Sequence, residues 1–203
     1  LNKYFEGASQ TSIYAMKSLG INPADGREMY LDRNGELTYV WDQTQHVVVG
    51  DTEPELRGAF GFNFSYKSFF VFTSFLYEYG GDMYNNTLVN KVENANIYKN
   101  VDSRVFTDRW QKPGDITLLK DVRLWNEITQ VTSRFVQRNN FVDFTSVTIG
   151  YDLPKNFLSR WKINNCRLQA STNDLGRISS IDIERGTDFP YARTFNFTIN
   201  VGF

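Results

Sequence analysis

The sequence is poor in the residues that most enzyme chemistry relies on. It has 203 residues but one cysteine, Cys166, and one histidine, His46. A single thiol excludes an internal disulfide and a cysteine zinc cluster. A lone imidazole, best read as a loop residue, leaves no basis for Ser-His-Asp catalysis or for a His-based metal site. No run approaches the roughly 18 consecutive apolar residues of a membrane-spanning helix. Neither sign of charge is in excess, with 22 Lys and Arg against 23 Asp and Glu for a net charge of −1. That balance points to neither nucleic acid nor an anionic surface as partner. No cofactor is expected, and no internal repeat or low-complexity tract is visible.

Aromatic residues, by contrast, are abundant. They make up 16% of the chain, with 17 Phe and 11 Tyr, while 41% of residues are hydrophobic and mean hydropathy is −0.43. Strands that each carry one apolar face produce this combination. The run 194-TFNFTINVGF-203 alternates Phe195, Phe197, Ile199, Val201 and Phe203 with polar or small residues, the period of a strand with two unlike faces. At 58-GAFGFNFSYKSFFVFTSFLYEY-79 a two-residue turn at Lys67-Ser68 would set Tyr66 opposite Phe69, Phe64 opposite Val71, Phe62 opposite Thr73 and Phe60 opposite Phe75. One face is then aromatic and β-branched, and the other mixed and smaller. Val147, Ile149, Tyr151 and Leu153 alternate within 141–154 until Pro154 ends the run. Cys166, Leu168 and Ala170 alternate after a short link.

The remaining links are long and polar, at 80–140 and about 174–193. Leu88, Val92 and Ala95 have helical spacing within 85–98, 103–115 reads as a helical turn ended by Pro113-Gly114, and Asn34-Gly35 reads as a hairpin turn within 27–41. Asp51, Glu53 and Glu55 have the composition of a glycosidase carboxylate pair but read as a solvated loop. Asp32-Arg33-Asn34-Gly35-Glu36 starts like a calcium loop, but its ligand spacing then fails. Trp41, Trp110 and Trp125 lie in the long segments, where exposed rings can stack on sugars or anchor a partner and where ordinary packing is the plainer reading. Three classes stay open on these grounds. They are an all-β outer-membrane barrel, whose signal is ten-residue alternation with short turns at one end and long loops at the other, a soluble β-sandwich serving carbohydrate binding or adhesion, and a hydrolase. Sixty residues of loop at 80–140 fit the sandwich poorly, and no nucleophile motif supports the hydrolase.

Taken together and in order, 19-LGINPADGREMYLDRNGELTYVW-41, 49-VGDTEPELRGAFGFNFSYKSF-69, 79-YGGDMYN-85, 109-RWQKPGD-115, 141-FVDFTSVTIGYDLP-154 and 190-PYARTFNFTINVGF-203 resemble the C-terminal part of SusC/RagA-type transporters. These are TonB-dependent outer-membrane transporters of Bacteroidetes. The resemblance covers nearly the whole chain and implies the last strands of a large antiparallel barrel of about 22 strands with a plugged lumen. It also implies an active importer of glycans or peptides, working with a SusD-type surface lipoprotein and with TonB, and not an enzyme. The plug, the TonB box and the N-terminal extension of that family have no counterpart in these residues, which suggests a piece of a longer polypeptide. One departure lies at 172-TNDLGRISS-180, which lacks aromatic residues common in the family after its Asn-Leu step, so the loop that follows would touch something different.

On this reading residues 1–57 form an extracellular loop region with a short hairpin, and 58–203 are barrel strands with a long extracellular loop at about 80–140. Strands 58–67, 141–153 and 194–203 run toward the periplasm and 69–79 and 165–173 run outward, with Lys67-Ser68 and 154–161 on the periplasmic side. Phe60, Phe62, Phe64, Phe69, Val71, Phe75, Val147, Ile149, Tyr151, Leu168, Phe195, Phe197, Ile199 and Val201 are expected to face lipid, and Tyr66, Tyr77, Tyr79 and Phe203 to lie near the interfaces. Phe203 is the expected C-terminal assembly signal. Trp110 and Trp125 are the candidates for contact with the lipoprotein or the substrate.

Overall fold

The computed structural model describes residues 6, 7, 9–181 and 193–203. It divides into two compact units. The first takes in the chain up to Pro54 together with Gly80–Asn139 and Ile181. Its strands are short: β1 Ser12–Ala15, β2 Lys17–Ile21, β3 Glu28–Leu31, β4 Leu37–Thr38 and β5 Val47–Asp51. Antiparallel β1 and β5 form one small sheet, and β2, β3 and β4 another. The turn between β3 and β4 is the one expected. Asp32 Oδ1 accepts from the N–H groups of Asn34 at 2.9 Å and Glu36 at 2.8 Å, and Gly35 has φ of 85°, a left-handed backbone that glycine adopts without penalty.

Leu88, Val92 and Ala95 are buried as their spacing predicts, and with Val89, Val105, Leu119 and Phe135 they form the core of this unit. The helix carrying them is far shorter than the sequence suggests. Asn85 Oδ1 caps it by accepting from Leu88 N–H at 2.9 Å. After Asn86–Leu88 it widens into a single π turn at Val89–Glu93, closed by Asn94 N–H on Val89 O at 2.7 Å. Buried Arg109 then donates to the carbonyls of Val92 and Glu93, satisfying acceptors that a further helical turn would otherwise have taken.

The second unit is a five-stranded sheet with contributions from Glu55–Tyr79, Asn140–Ser180 and 193–203. Its strands are β6 Leu56–Tyr66, β7 Phe69–Tyr84, β8 Val136–Asp152, β9 Asn165–Ser179 and β10 Phe195–Gly202, with consecutive strands as neighbours. The β6–β7 register is the expected one throughout, from Tyr66 opposite Phe69 to Phe60 opposite Phe75. The strands are longer than alternation alone shows. β7 runs to Tyr84, β8 begins at Val136, and β9 continues to Ser179, so 174–179 is strand where the long link was expected to begin. The long connection at 80–140 is correspondingly shorter, and its residues belong with those before Pro54. Each of the two units is thus drawn from separated segments of the chain.

Candidate functional site

The sheet has two unlike faces. Cross-strand partners share a face, so the register puts Phe60, Phe62, Phe64, Phe69, Val71 and Phe75 on one side of β6 and β7. Val147, Ile149 and Tyr151 of β8 oppose Thr172, Ala170 and Leu168 of β9, which in turn oppose Phe195, Phe197 and Ile199 of β10. Val201 opposite Cys166 continues the row. Phe69, Ile149, Tyr151, Leu168, Phe197 and Ile199 line one shallow apolar groove, which joins the two sets. The outer rings stand open, with Phe62 at 63% and Phe197 at 82% of full exposure. Phe75 is half-buried because it lies between stacked Phe60 and Phe144. Phe203 is exposed just past β10.

The same face has members the sequence pattern misses. Phe144 differs in parity from Val147, yet its ring stacks on Phe75. The pairing is irregular at this point, where β8 advances two residues from Phe144 to Ser146 while β9 advances three from Gly176 to Asn173. Val142 opposite Ile178 joins this face by the same register.

The opposite face is mixed, with Phe70, Phe72 and Leu76 of β7 beside paired charges. Arg167 of β9 makes a two-pronged ion pair with Asp152 of β8, Nε to Oδ1 at 2.6 Å and Nη2 to Oδ2 at 2.9 Å. Its guanidinium lies 4.8 Å from the centroid of the Phe70 ring. That ring occupies the place of a side chain at Gly150, where an added Cβ would come within 2.1 Å of it. Toward the other end of β8 and β9, Asp143 and Arg177 repeat the ion pair at 2.6 and 2.9 Å, with Arg177 over Phe141. At the far end of the hairpin β6–β7, Arg57 pairs with Glu78 at 3.0 Å.

The first unit has a charged centre. Arg134 Nη2 reaches Glu28 Oε2 and Glu93 Oε1, both at 2.7 Å, and all three side chains are buried. Ser18 Oγ donates to Glu28 at 2.7 Å and Thr129 Oγ1 to Glu93 at 3.1 Å. Burial by itself lowers the Arg134 guanidinium, but its hydrogen bond to Glu28 and the charges of Glu93 and Glu28 outweigh that and raise it. Arg109 and Lys120 lie nearby and are lowered, chiefly by burial. Burial, then the charge of Glu28, raises the Tyr30 phenol above its ordinary value.

The two tryptophans singled out by sequence part company here. Trp110 is not an exposed ring: it is 4% accessible, its indole N–H donates to Pro23 O at 2.9 Å, and it fills the space beside Gly26, whose φ is 72°. Of the pair, only Trp125 offers a surface. It is 48% exposed and meets Tyr98 edge-on at 5.8 Å. His46 is a loop residue as expected, between the helical turn Gln43–Gln45 and β5, but it is buried. It is 2% exposed, with its ring edge-on to Trp41 at 5.4 Å. Asp51 lies within β5 and accepts from Glu53 N–H at 2.9 Å, a turn contact. Among the described residues no three His, Cys, Asp or Glu side chains are grouped as a metal site, and no helix is long and apolar enough to cross a membrane.

No protein-family model matches the chain. Two TonB-dependent receptors of Formosa agariphila are each 26% identical to it, over 155 and 152 residues. Each match takes in 74% of this chain, which spans only 15% and 14% of the two receptors. Among solved structures, the RagAB peptide importer in its open-open state superposes with a TM-score of 0.68 over 89% of this chain and 21% of its own, at 16% identity. The closed-closed state gives 0.61 at 17% identity, with 89% of this chain and 22% of that one covered. At such identities the structures show a shared fold.

Proposed function

We propose that this chain, a portion of a SusC/RagA-type TonB-dependent outer-membrane transporter, contributes wall strands and surface loops to a barrel that imports nutrients too large for passive pores. The observation that carries the reading is the sheet with one open aromatic face and one mixed face that carries paired charges. A water-soluble sandwich would cover Phe62, Phe64, Phe197 and Ile199, whereas a bilayer accepts them as they stand. In this reading all fourteen alternating residues named from the sequence meet hydrocarbon, and Asp152, Arg167 and Phe70 line the lumen. The Lys67-Ser68 turn and 154–161 face the periplasm, and the first unit lies outside the cell. The transported class is glycan or peptide, and the lidding partner is a SusD-type lipoprotein that meets the outer unit near Trp125. Transport is not enzymatic, which agrees with the receptor and importer names of the similar proteins.

The test has two arms on the full-length parent protein. Fractionation of native cells should recover it only from detergent-extracted outer membrane; recovery in the soluble fraction overturns the reading. Co-purification of a surface lipoprotein should weaken in Trp125→Ala with heat-modifiable barrel mobility retained. Unchanged co-purification removes Trp125 from the contact.

A further inference from the structure

Most cations of the sheet unit that lack a carboxylate partner gather at one end, the exception being exposed Arg193 just before β10. Arg57, Arg167 and Arg177 each have a carboxylate partner, in Glu78, Asp152 and Asp143. Lys67, Lys155, Arg160 and Lys162 have none among the described residues, and all four are exposed. They gather at one end of the sheet. Lys67 lies in the β6–β7 turn and the other three in the β8–β9 connection. Asp152 N–H on Ser68 O at 2.8 Å and Asn164 N–H on Gly202 O at 2.8 Å tie that end together. The stretch 153–164 contains no Asp or Glu. Two of the four sit in left-handed backbone, Lys67 with φ of 54° and Lys162 with φ of 56°, positions that glycine would occupy with less strain. Interleaved with the charges are the exposed rings of Tyr66, Phe157 and Trp161. Above them on the aromatic face lies the apolar groove, with a volume of 330 Å³, between Phe69, Tyr151, Leu168 and Phe197. The groove exists because Ala170 sits in register between the larger Ile149 and Phe197.

We infer that this end of the sheet holds an anionic phospholipid, its phosphate among the four unpaired cations and an acyl chain in the groove. The inference rests on the membrane reading proposed above. A basic cluster at a membrane interface attracts acidic headgroups over neutral ones. Amphipathic rings at the same level suit the headgroup region. Four unpaired cations with no carboxylate in 153–164, against a single one, Arg193, elsewhere in the unit, make this end the one complementary to negative charge.

The experiment uses the full-length parent protein in phosphatidylcholine bilayers doped with spin-labelled phosphatidylglycerol or spin-labelled phosphatidylcholine. Electron paramagnetic resonance reads the fraction of each probe immobilised at the protein. The parent should favour phosphatidylglycerol by roughly three-fold, a preference reduced by high salt. The combined variant K67Q/K155Q/R160Q/K162Q should bring the ratio to about one, while R57Q, which removes a paired cation, leaves it unchanged. Should the combined variant lose heat-modifiable mobility, K155Q and R160Q alone, both outside the strands, should each lower the ratio. A parent that shows no preference, or variants that keep it, overturn the inference. Immobilisation of neither probe means that the protein is not in the bilayer, which overturns the membrane reading itself.

Discussion

Phe75 and Phe144 stack across β7 and β8 with ring centroids 4.6 Å apart and planes 10° from parallel, and Phe60 stacks on Phe75 from the β6 side at 4.9 Å and 11°. The middle ring therefore couples three strands on one face. Hydrocarbon solvates a lone ring well, so the geometry of the stack rather than removal from water should dominate. Phe75→Leu should cost about 1–3 kcal/mol through loss of two stacked pairs, each worth roughly 0.5–1.5 kcal/mol. Refolding from urea into bilayers measures it, and a Phe75/Phe144 double-mutant cycle should return a coupling of one such pair.

The faces themselves are open to a sharper test. Ile199 and Asn200 are adjacent on β10 and point to opposite sides. Ile199→Arg should cost about 2–4 kcal/mol if near the bilayer midplane, and Asn200→Arg much less. Phe62→Arg and Asn63→Arg should repeat the contrast on β6. Equal or reversed costs in bilayer refolding would sink the assignment of lipid and lumen sides.

Arg134 compensates two buried carboxylates at once. Arg134→Met leaves Glu28 and Glu93 without their shared cation and should destabilise the first unit by about 3–5 kcal/mol. Limited proteolysis should then cleave within 85–135 while heat-modifiable mobility of the barrel persists. Arg134→Lys keeps a charge but loses the fork that spans both partners, and should fall between the two.

Tyr30 supplies a signature at alkaline pH. Burial and Glu28 raise its phenol above the ordinary value of 10.0. The folded state therefore holds a proton that the unfolded state releases. This contribution to stability is fully present below pH 10 and declines as the pH climbs through the raised value. In difference absorbance at 295 nm, parent and Tyr30→Phe should titrate alike up to about pH 11. They should differ by one phenol only where the unit unfolds; an extra phenol ionising in the parent near pH 10 contradicts the buried environment.

How much of this could be read from sequence depended on the interaction concerned. Period-two alternation is local, so the register of 58–79 and the side to which Ile149, Leu168 and Phe197 point were all legible. Phe144 was not, because the register irregularity beside it leaves no mark in composition. β1, β2 and β5 are four or five residues long, and β1 and β2 each carry a register shift, too little for a period to emerge. The polar start of β8, Gln137-Arg138-Asn139-Asn140, imitates a loop although it is strand. Glu28, Glu93, Arg109 and Arg134 assemble across as many as 106 residues of sequence, and nothing local distinguishes them from solvated charges. For the same reason sequence left Trp110 open between loop packing and a contact surface, since its partners Pro23 and Gly26 lie far upstream.

β6 and β10 are the outer strands of the five, and each presents one row of peptide groups without a strand partner among the described residues. In a bilayer such a row is intolerable, and in water it is adhesive. Produced by itself, this stretch of chain would have its most β-prone sequences at both margins, where copies can add strand to strand in either direction. Expression of 55–203 alone should therefore yield inclusion bodies with a cross-β spacing rather than a soluble domain, and a refolding protocol would need the neighbouring strands of the parent, not merely detergent.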